Sequence, residues 1–160
     1  MRLIAIIMML TTVGAYANIP VGQYKVDKIQ CKTGKELKLG GRFMVYSLLL
    51  DVEATSWKMT AIAKSGSWAP FRLDCTQINV GKFTYTSEGK LEGDLPNESV
   101  ECNSPAWTEI LRRKLFGVEE FGEFTYKVDG RKLEIYNPNT ITKYSCDSAG
   151  DYPIYYYTRQ

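Results

Sequence analysis

The chain contains no histidine. That removes the commonest general base, and with it the Ser-His-Asp and Cys-His arrangements of nucleophilic catalysis. Carboxylates and tyrosines remain for acid–base work. Neighbouring acids occur at Glu119 and Glu120 and at Glu92 and Asp94, in polar, turn-like stretches. A glycosidase-type dyad needs two carboxyls facing one cleft, and nothing in the pattern places either pair that way. "KTGKELKLGG" (32–41) lacks the spacing of a phosphate-binding loop and reads as a basic turn between strands. So narrow a set of bases argues against an enzyme.

Cysteines form the next reactive class, at Cys31, Cys75, Cys102 and Cys146. Their meaning depends on compartment. "MRLIAIIMMLTTVGAYA" (1–17) has one cation (Arg2), an apolar run from Leu3 to Leu10, and Ala15-Tyr16-Ala17. That is the pattern of a secretory signal peptide, a run too short to span a bilayer. The reading is removal of 1–17 and a single exported domain over 18–160, periplasmic or extracellular. An even number of cysteines in such a chain implies two disulfides, with three pairings possible. Zinc is the rival, but no two cysteines lie close in sequence, as paired metal ligands do. No metal and no cofactor is expected.

Lys and Arg number 20 against 18 acids, a net charge of +2, which offers no electrostatic case for nucleic acid. No other apolar run is long enough to cross a membrane as a helix. "NES" (97–99) fits an N-glycosylation acceptor, a match common by chance.

Aromatic residues are the more informative class: 11 Tyr, 3 Trp and 6 Phe. What they can do depends on the elements that hold them, and most of the chain alternates with period two. "GQYKVDKIQC" (22–31) puts Tyr24 and Val26 on one face, then shifts parity at Ile29 and Cys31, as a bulge near Lys28 would produce. "RFMVYSLLLDV" (42–52) is apolar at both parities, so it is expected to be covered on both faces. "SWKMTAIAK" (56–64) sets Trp57, Met59, Ala61 and Ala63 against Lys58, Thr60 and Lys64. "FRLDCTQI" (71–78) sets Phe71, Leu73 and Cys75 against Arg72, Asp74 and Thr76.

Two stretches match each other, "GKFTYTSEGKLEG" (81–93) and "GEFTYKVDGRKLEIY" (122–136). Each reads as a hairpin with two inward aromatics, the second having a strong Asp-Gly turn and the first a weaker turn with a bulge. Three units would be needed for a repeat array. A helix is expected near 105–116, with Ser104 as N-cap, Pro105 at its first position and Gly117 as its stop. It carries a basic end of Arg112, Arg113 and Lys114, a possible patch for a protein partner. "TITKYSC" (140–146) and "IYYYTRQ" (154–160) return to strands.

Such a chain closes most economically as an antiparallel β-barrel of about 8–10 strands, closed or nearly so, with a β-sandwich as the alternative. The inward set is Trp57, Met59, Phe71, Phe83, Tyr85, Phe124, Tyr126 and Tyr156, with Tyr155 and Tyr157 facing out. A barrel of about eight strands is either filled by its own side chains or holds one small ligand. The leading reading is therefore a monomeric exported binding protein for a small apolar or amphipathic molecule. The alternative is an interaction module or hydrolase inhibitor with a filled core, using the loops "SGSWAP" and "DLPNES".

The ends of the chain carry a family resemblance. Gly22-x-Tyr24 on the first strand, the hairpin at 122–136, "YSCDSAG" and the terminal "YYYTR" resemble the small exported lipocalin-like (calycin-type) domains of bacteria. Lipocalins have Gly-x-Trp on the first strand and an Arg near the last, packed over the aromatic to close one barrel end. The matching residues are Tyr24 and Arg159, for which the resemblance implies a cation–π contact of about 0.5–2 kcal/mol. Tyr stands where the family has Trp, and the helix precedes the last four strands where the family places its helix before one. A barrel of this kind pairs its last strand with its first, bringing Cys31 and Cys146 to one rim. That implies the bridges Cys31–Cys146 and Cys75–Cys102.

Overall fold

The computed structural model describes residues 18–40, 44–106, 108, 122–139, 146 and 150–160. Ten strands run through them: β1 Gly22–Cys31, β2 Glu36–Leu37, β3 Met44–Val52, β4 Ser56–Ser65, β5 Asp74–Ser87, β6 Lys90–Gly93, β7 Asn97–Cys102, β8 Gly122–Asp129, β9 Lys132–Tyr136 and β10 Pro153–Arg159. Eight of them follow the order β10-β9-β8-β6-β5-β4-β3-β1, and β1 pairs back onto β10, so the sheet closes into an antiparallel barrel. β2 adds to the far half of β1, and β7 adds to the first half of β5. The sheet is thus the closed antiparallel barrel expected from the sequence, and not the alternative sandwich.

Closure depends on a local irregularity. β1 pairs with β10 from Tyr24↔Arg159 to Cys31↔Pro153, with a register shift between Val26 and Lys28. The extra residue, Asp27, lets Tyr24 and Val26 and then Ile29 and Cys31 all turn inward, each being buried. β5 carries the second departure from a simple meander. It is a continuous 14-residue strand where the pattern suggested two, its first half pairing β7 and its second half β6. β7 was not legible as a strand, because "NESVEC" has one buried apolar residue, Val100, and no alternation.

The two matching hairpins stand side by side. Leu91 of β6 pairs with Phe124 of β8, so one hairpin continues the other around the barrel. Gly130 takes φ +57° at the tight turn between Asp129 and Lys132, and Gly89 takes +68° beside a register shift after Tyr85. Both angles suit Gly far better than a residue with a Cβ.

Of the expected helix, Pro105, Ala106 and Thr108 are described, and Thr108 N donates to the Ser104 carbonyl at 3.1 Å, as an N-cap arrangement requires. Arg112, Arg113, Lys114, Glu119 and Glu120 lie outside the described residues, as does 140–145. Among the described residues no helix is long and apolar enough to cross a membrane.

Two disulfides brace the barrel. Cys31–Cys146 ties the end of β1 to the segment preceding β10 across 115 residues, and Cys75–Cys102 links facing residues of β5 and β7 across 27. They fit an oxidising compartment. In the chain-entropy account the longer loop is worth about 4–5 kcal/mol and the shorter about 3–4. We expect Cys31→Ser/Cys146→Ser to lower the unfolding free energy more than Cys75→Ser/Cys102→Ser does. Urea unfolding of both pairs checks this, and equal losses or the reverse order would contradict the loop-length account.

Candidate functional site

One end of the barrel is sealed by the segment that precedes β1. Ile19 is buried and its N–H donates to Tyr85 Oη at 3.0 Å, while Tyr24 Oη donates to the Pro20 carbonyl at 2.7 Å. Arg159 Nη2 donates to the Val21 carbonyl at 2.6 Å. A Cβ on Gly22 would sit 2.7 Å from Arg159 Nε, so only Gly there lets the guanidinium lie across the strand. Tyr24 and Arg159 are thus cross-strand partners that close the barrel end, but not through a cation–π contact. Among the described residues the cations over rings are Lys28 on Tyr156 and Lys32 on Tyr152. The guanidinium goes to Val21 because a charge-assisted bond to a carbonyl at the rim satisfies its N–H better than a ring does.

Above this floor the interior is aromatic and only partly filled. Phe83, Tyr85 and Tyr126 meet edge to face, with centroids 5.2 and 5.7 Å apart. Beyond them lies a partly open cavity of about 70 Å³. Its wall is apolar and aromatic, with Leu50, Met59, Phe83 and Leu91 on one side and Ile135, Tyr155 and Tyr157 on the other. Asn137, buried at the end of β9, is the one amide in the wall, its Oδ1 accepting from Asn139 N at 2.9 Å.

Two ring placements keep the space open. A Cβ on Gly81 would lie 2.8 Å from each of three atoms of the Trp57 indole, so the ring lies flat over that glycine. A Cβ on Gly93 would lie 3.3 Å from Phe124 Cε2. Trp57 and Phe124 therefore line the wall instead of crossing the interior.

The structure places the expected interior residues in three groups. Trp57, Met59, Phe83 and Phe124 line the cavity. Tyr85 and Tyr126 are inside the barrel but belong to its sealed end. Phe71 and Tyr156 are corrections. Phe71 packs in a second cluster with Ala63, Leu73, Cys75 and Val100, at the β4–β5 end, because its segment folds over that rim before β5 begins. Tyr156 faces outward beneath Lys28, 4.5 Å from its ring centroid, while Tyr155 and Tyr157 turn inward. The cause is register: Tyr157 faces Val26 and Leu133, both buried, whereas Tyr156 faces Lys28 and Glu134. A signal for this existed, since pairing Arg159 with Tyr24 forces residues 157 and 155 onto the same face by the strand period. Ile19, which lies ahead of any strand pattern, had no such signal.

Glu92 and Asp94 are exposed, and no carboxylate lines the cavity among the described residues. Cys31, Cys146 and Asp151 bring their ligand atoms within 4.8 Å of one another, but the two sulfurs are bonded together and offer no thiolate to an ion.

Fold and site define a closed antiparallel barrel with a sealed end and an apolar interior cavity. The chain matches no family model, no curated protein and no solved structure.

Burial raises the pKa of Tyr24, Tyr85 and Tyr126 above the ordinary tyrosine value of 10.0. For Tyr24 the nearby Arg159 charge opposes the shift without reversing it. The native state therefore holds these protons more tightly than the unfolded chain does. Their contribution to stability is complete below pH 10.0 and is lost as pH rises through the higher folded values. Urea midpoints should fall above that pH, together with the appearance of tyrosinate absorbance. A flat midpoint across that window would show that the three hydroxyls titrate as they do when unfolded.

Proposed function

We propose that this chain is an exported, lipocalin-like binding protein that holds a small apolar or amphipathic molecule inside the barrel. The observation that carries the reading is the partly open, aromatic-lined cavity within a closed barrel. Its size limits the occupant. Dedicated ligand pockets run to about 300–1,000 Å³, and an apolar cavity of about 150 Å³ holds benzene. A space of about 70 Å³ takes one small ring that projects from the mouth, or the end of an alkyl chain. Export is supported by the leader-like residues 1–17 and the two disulfides, and cleavage after Ala17 would leave a mature chain starting at Asn18.

Toluene and 1-hexanol titrated against methyl-labelled protein test the reading. Saturable shifts are expected at Leu50, Met59 and Leu91 and not at the exposed Leu95. No saturable shift up to the solubility limit of either probe would rule the cavity out as a ligand site. Gly81→Ala is expected to lower stability by about 1–3 kcal/mol, the range for overpacking, by driving the Trp57 indole off the wall. The displaced ring should also weaken toluene binding. Unchanged toluene affinity in a folded Gly81→Ala protein would mean the ring placement does not shape the site.

A second reading, an interaction module, is favoured by Trp68 and Leu95, which are 77% and 72% exposed on the β4–β5 and β6–β7 loops. Single apolar residues on a surface are ordinary. If these two anchor a partner, Trp68→Ser/Leu95→Ser should abolish its capture while leaving toluene binding intact.

A further inference from the structure

Gln77 and Asn79 sit on the inward face of β5, 2% and 5% exposed. They lie where the main apolar cluster of the barrel gives way to the cluster around Cys75 and Val100. A buried amide costs free energy unless each donor and acceptor is matched. Gln77 Nε2 is matched twice, donating to Asn79 Oδ1 at 3.2 Å and to Glu98 Oε1 at 3.1 Å. An ionised carboxylate only accepts, so Glu98 holds the NH2 end of the amide toward itself. Gln77 Oε1 is turned the other way, and it is the one buried side-chain polar atom among the described residues that no donor reaches.

Strand pairing sets Gln77 near a residue of the cavity wall, although Gln77 does not itself line the cavity. Met59, in the cavity wall, is the cross-strand partner of Asn79. Ala61, the next inward residue of β4, is the partner of Gln77 and offers only a methyl group on that side. Gln77 is thus one inward position along β5 from Asn79, the residue that pairs with Met59 of the wall. An unbranched methionine, with three rotatable bonds and no branch to lock it, is well suited to move aside.

We propose that Gln77 is the polar recognition residue of the barrel site, its Oε1 accepting a hydrogen bond from a hydroxyl or amine N–H on an otherwise apolar ligand. The inference rests on the reading of the cavity as a ligand site. Glu98 acts through Gln77, as a positioning residue that keeps the acceptor presented. The ligand class is then narrowed to small alcohols, phenols and amines. Carboxylates, which bring acceptors only, are disfavoured, and hydrocarbons leave Oε1 unmatched.

The test compares p-cresol with p-xylene, which share a shape and differ by a hydroxyl in place of a methyl. Dissociation constants are measured for the wild-type chain, Gln77→Met and Glu98→Ala. Expected is a preference for p-cresol over p-xylene that falls threefold to tenfold in Gln77→Met, because the variant keeps the volume and loses the acceptor. Glu98→Ala, at an exposed position, should move the ratio in the same direction by freeing the amide to turn. It gives the same reading if Gln77→Met does not fold. If both probes bind and the ratio stays constant in the folded variants, this inference fails, and Oε1 serves only a structural water. If neither probe binds the wild-type chain, the cavity reading itself fails.

Discussion

Everything in this molecule depends on the pairing of the first strand with the last. A sheet of eight strands has two edges, each with unpaired N–H and C=O groups, and joining β1 to β10 removes both. The join runs the whole length of β10, from Tyr24↔Arg159 to Cys31↔Pro153. Without it the inner residues of eight strands would have no common interior. The bulge at Asp27 is the local cost of that join. It breaks the ladder once so that four residues of β1 on both sides of it can face the same core. Cys31–Cys146 then holds the β1 end of the seam to the chain that leads into β10.

The same seam explains why the barrel has one sealed end. Arg159 forms the terminal registered pair with Tyr24, and its guanidinium crosses Gly22 to reach the Val21 carbonyl. That bond draws residues 19–21 across the mouth, where Tyr24 and Tyr85 supply two more side-chain ties. Three hydrogen bonds at one rim tie backbone groups of Ile19, Pro20 and Val21 to side chains of the barrel. The opposite end has a different composition, with buried amides at Gln77, Asn79 and Asn137. Buried amide groups therefore sit within an otherwise apolar and aromatic interior.

Strand positions were legible wherever one face was buried and the other wet, because period-two alternation is then strong. Trp57, Met59, Ala61 and Ala63 on β4 are of this kind, as is the parity shift in β1. β7 and the two-residue β2 were not legible, since neither has enough apolar residues to show a period. "IYYYT" misled for the opposite reason: apolar rings at every position give no parity, and only the partner strand decides which face each takes. The tie from Ile19 to Tyr85 spans 66 residues and has no local signature at all.

Whether such a barrel is hollow or solid is decided less by its aromatic residues than by the glycines opposite them. Counting rings alone, Trp57, Phe83, Tyr85, Phe124, Tyr126, Tyr155 and Tyr157 are ample to fill an eight-stranded interior. Gly81 faces Trp57 and Gly93 faces Phe83 beside the Phe124 ring, and each glycine gives a large ring a bare stretch of backbone to lie against. A ring lying on the wall covers strand backbone and leaves the axis free. Further along β4, Ala61 stands opposite Gln77 and Ala63 opposite Cys75. Met59 and Asn79 stand between the Trp57–Gly81 pair and the Ala61–Gln77 pair. The open space thus depends on what β5 and β6 leave out at Gly81 and Gly93, where Trp57 and Phe124 lie against bare backbone.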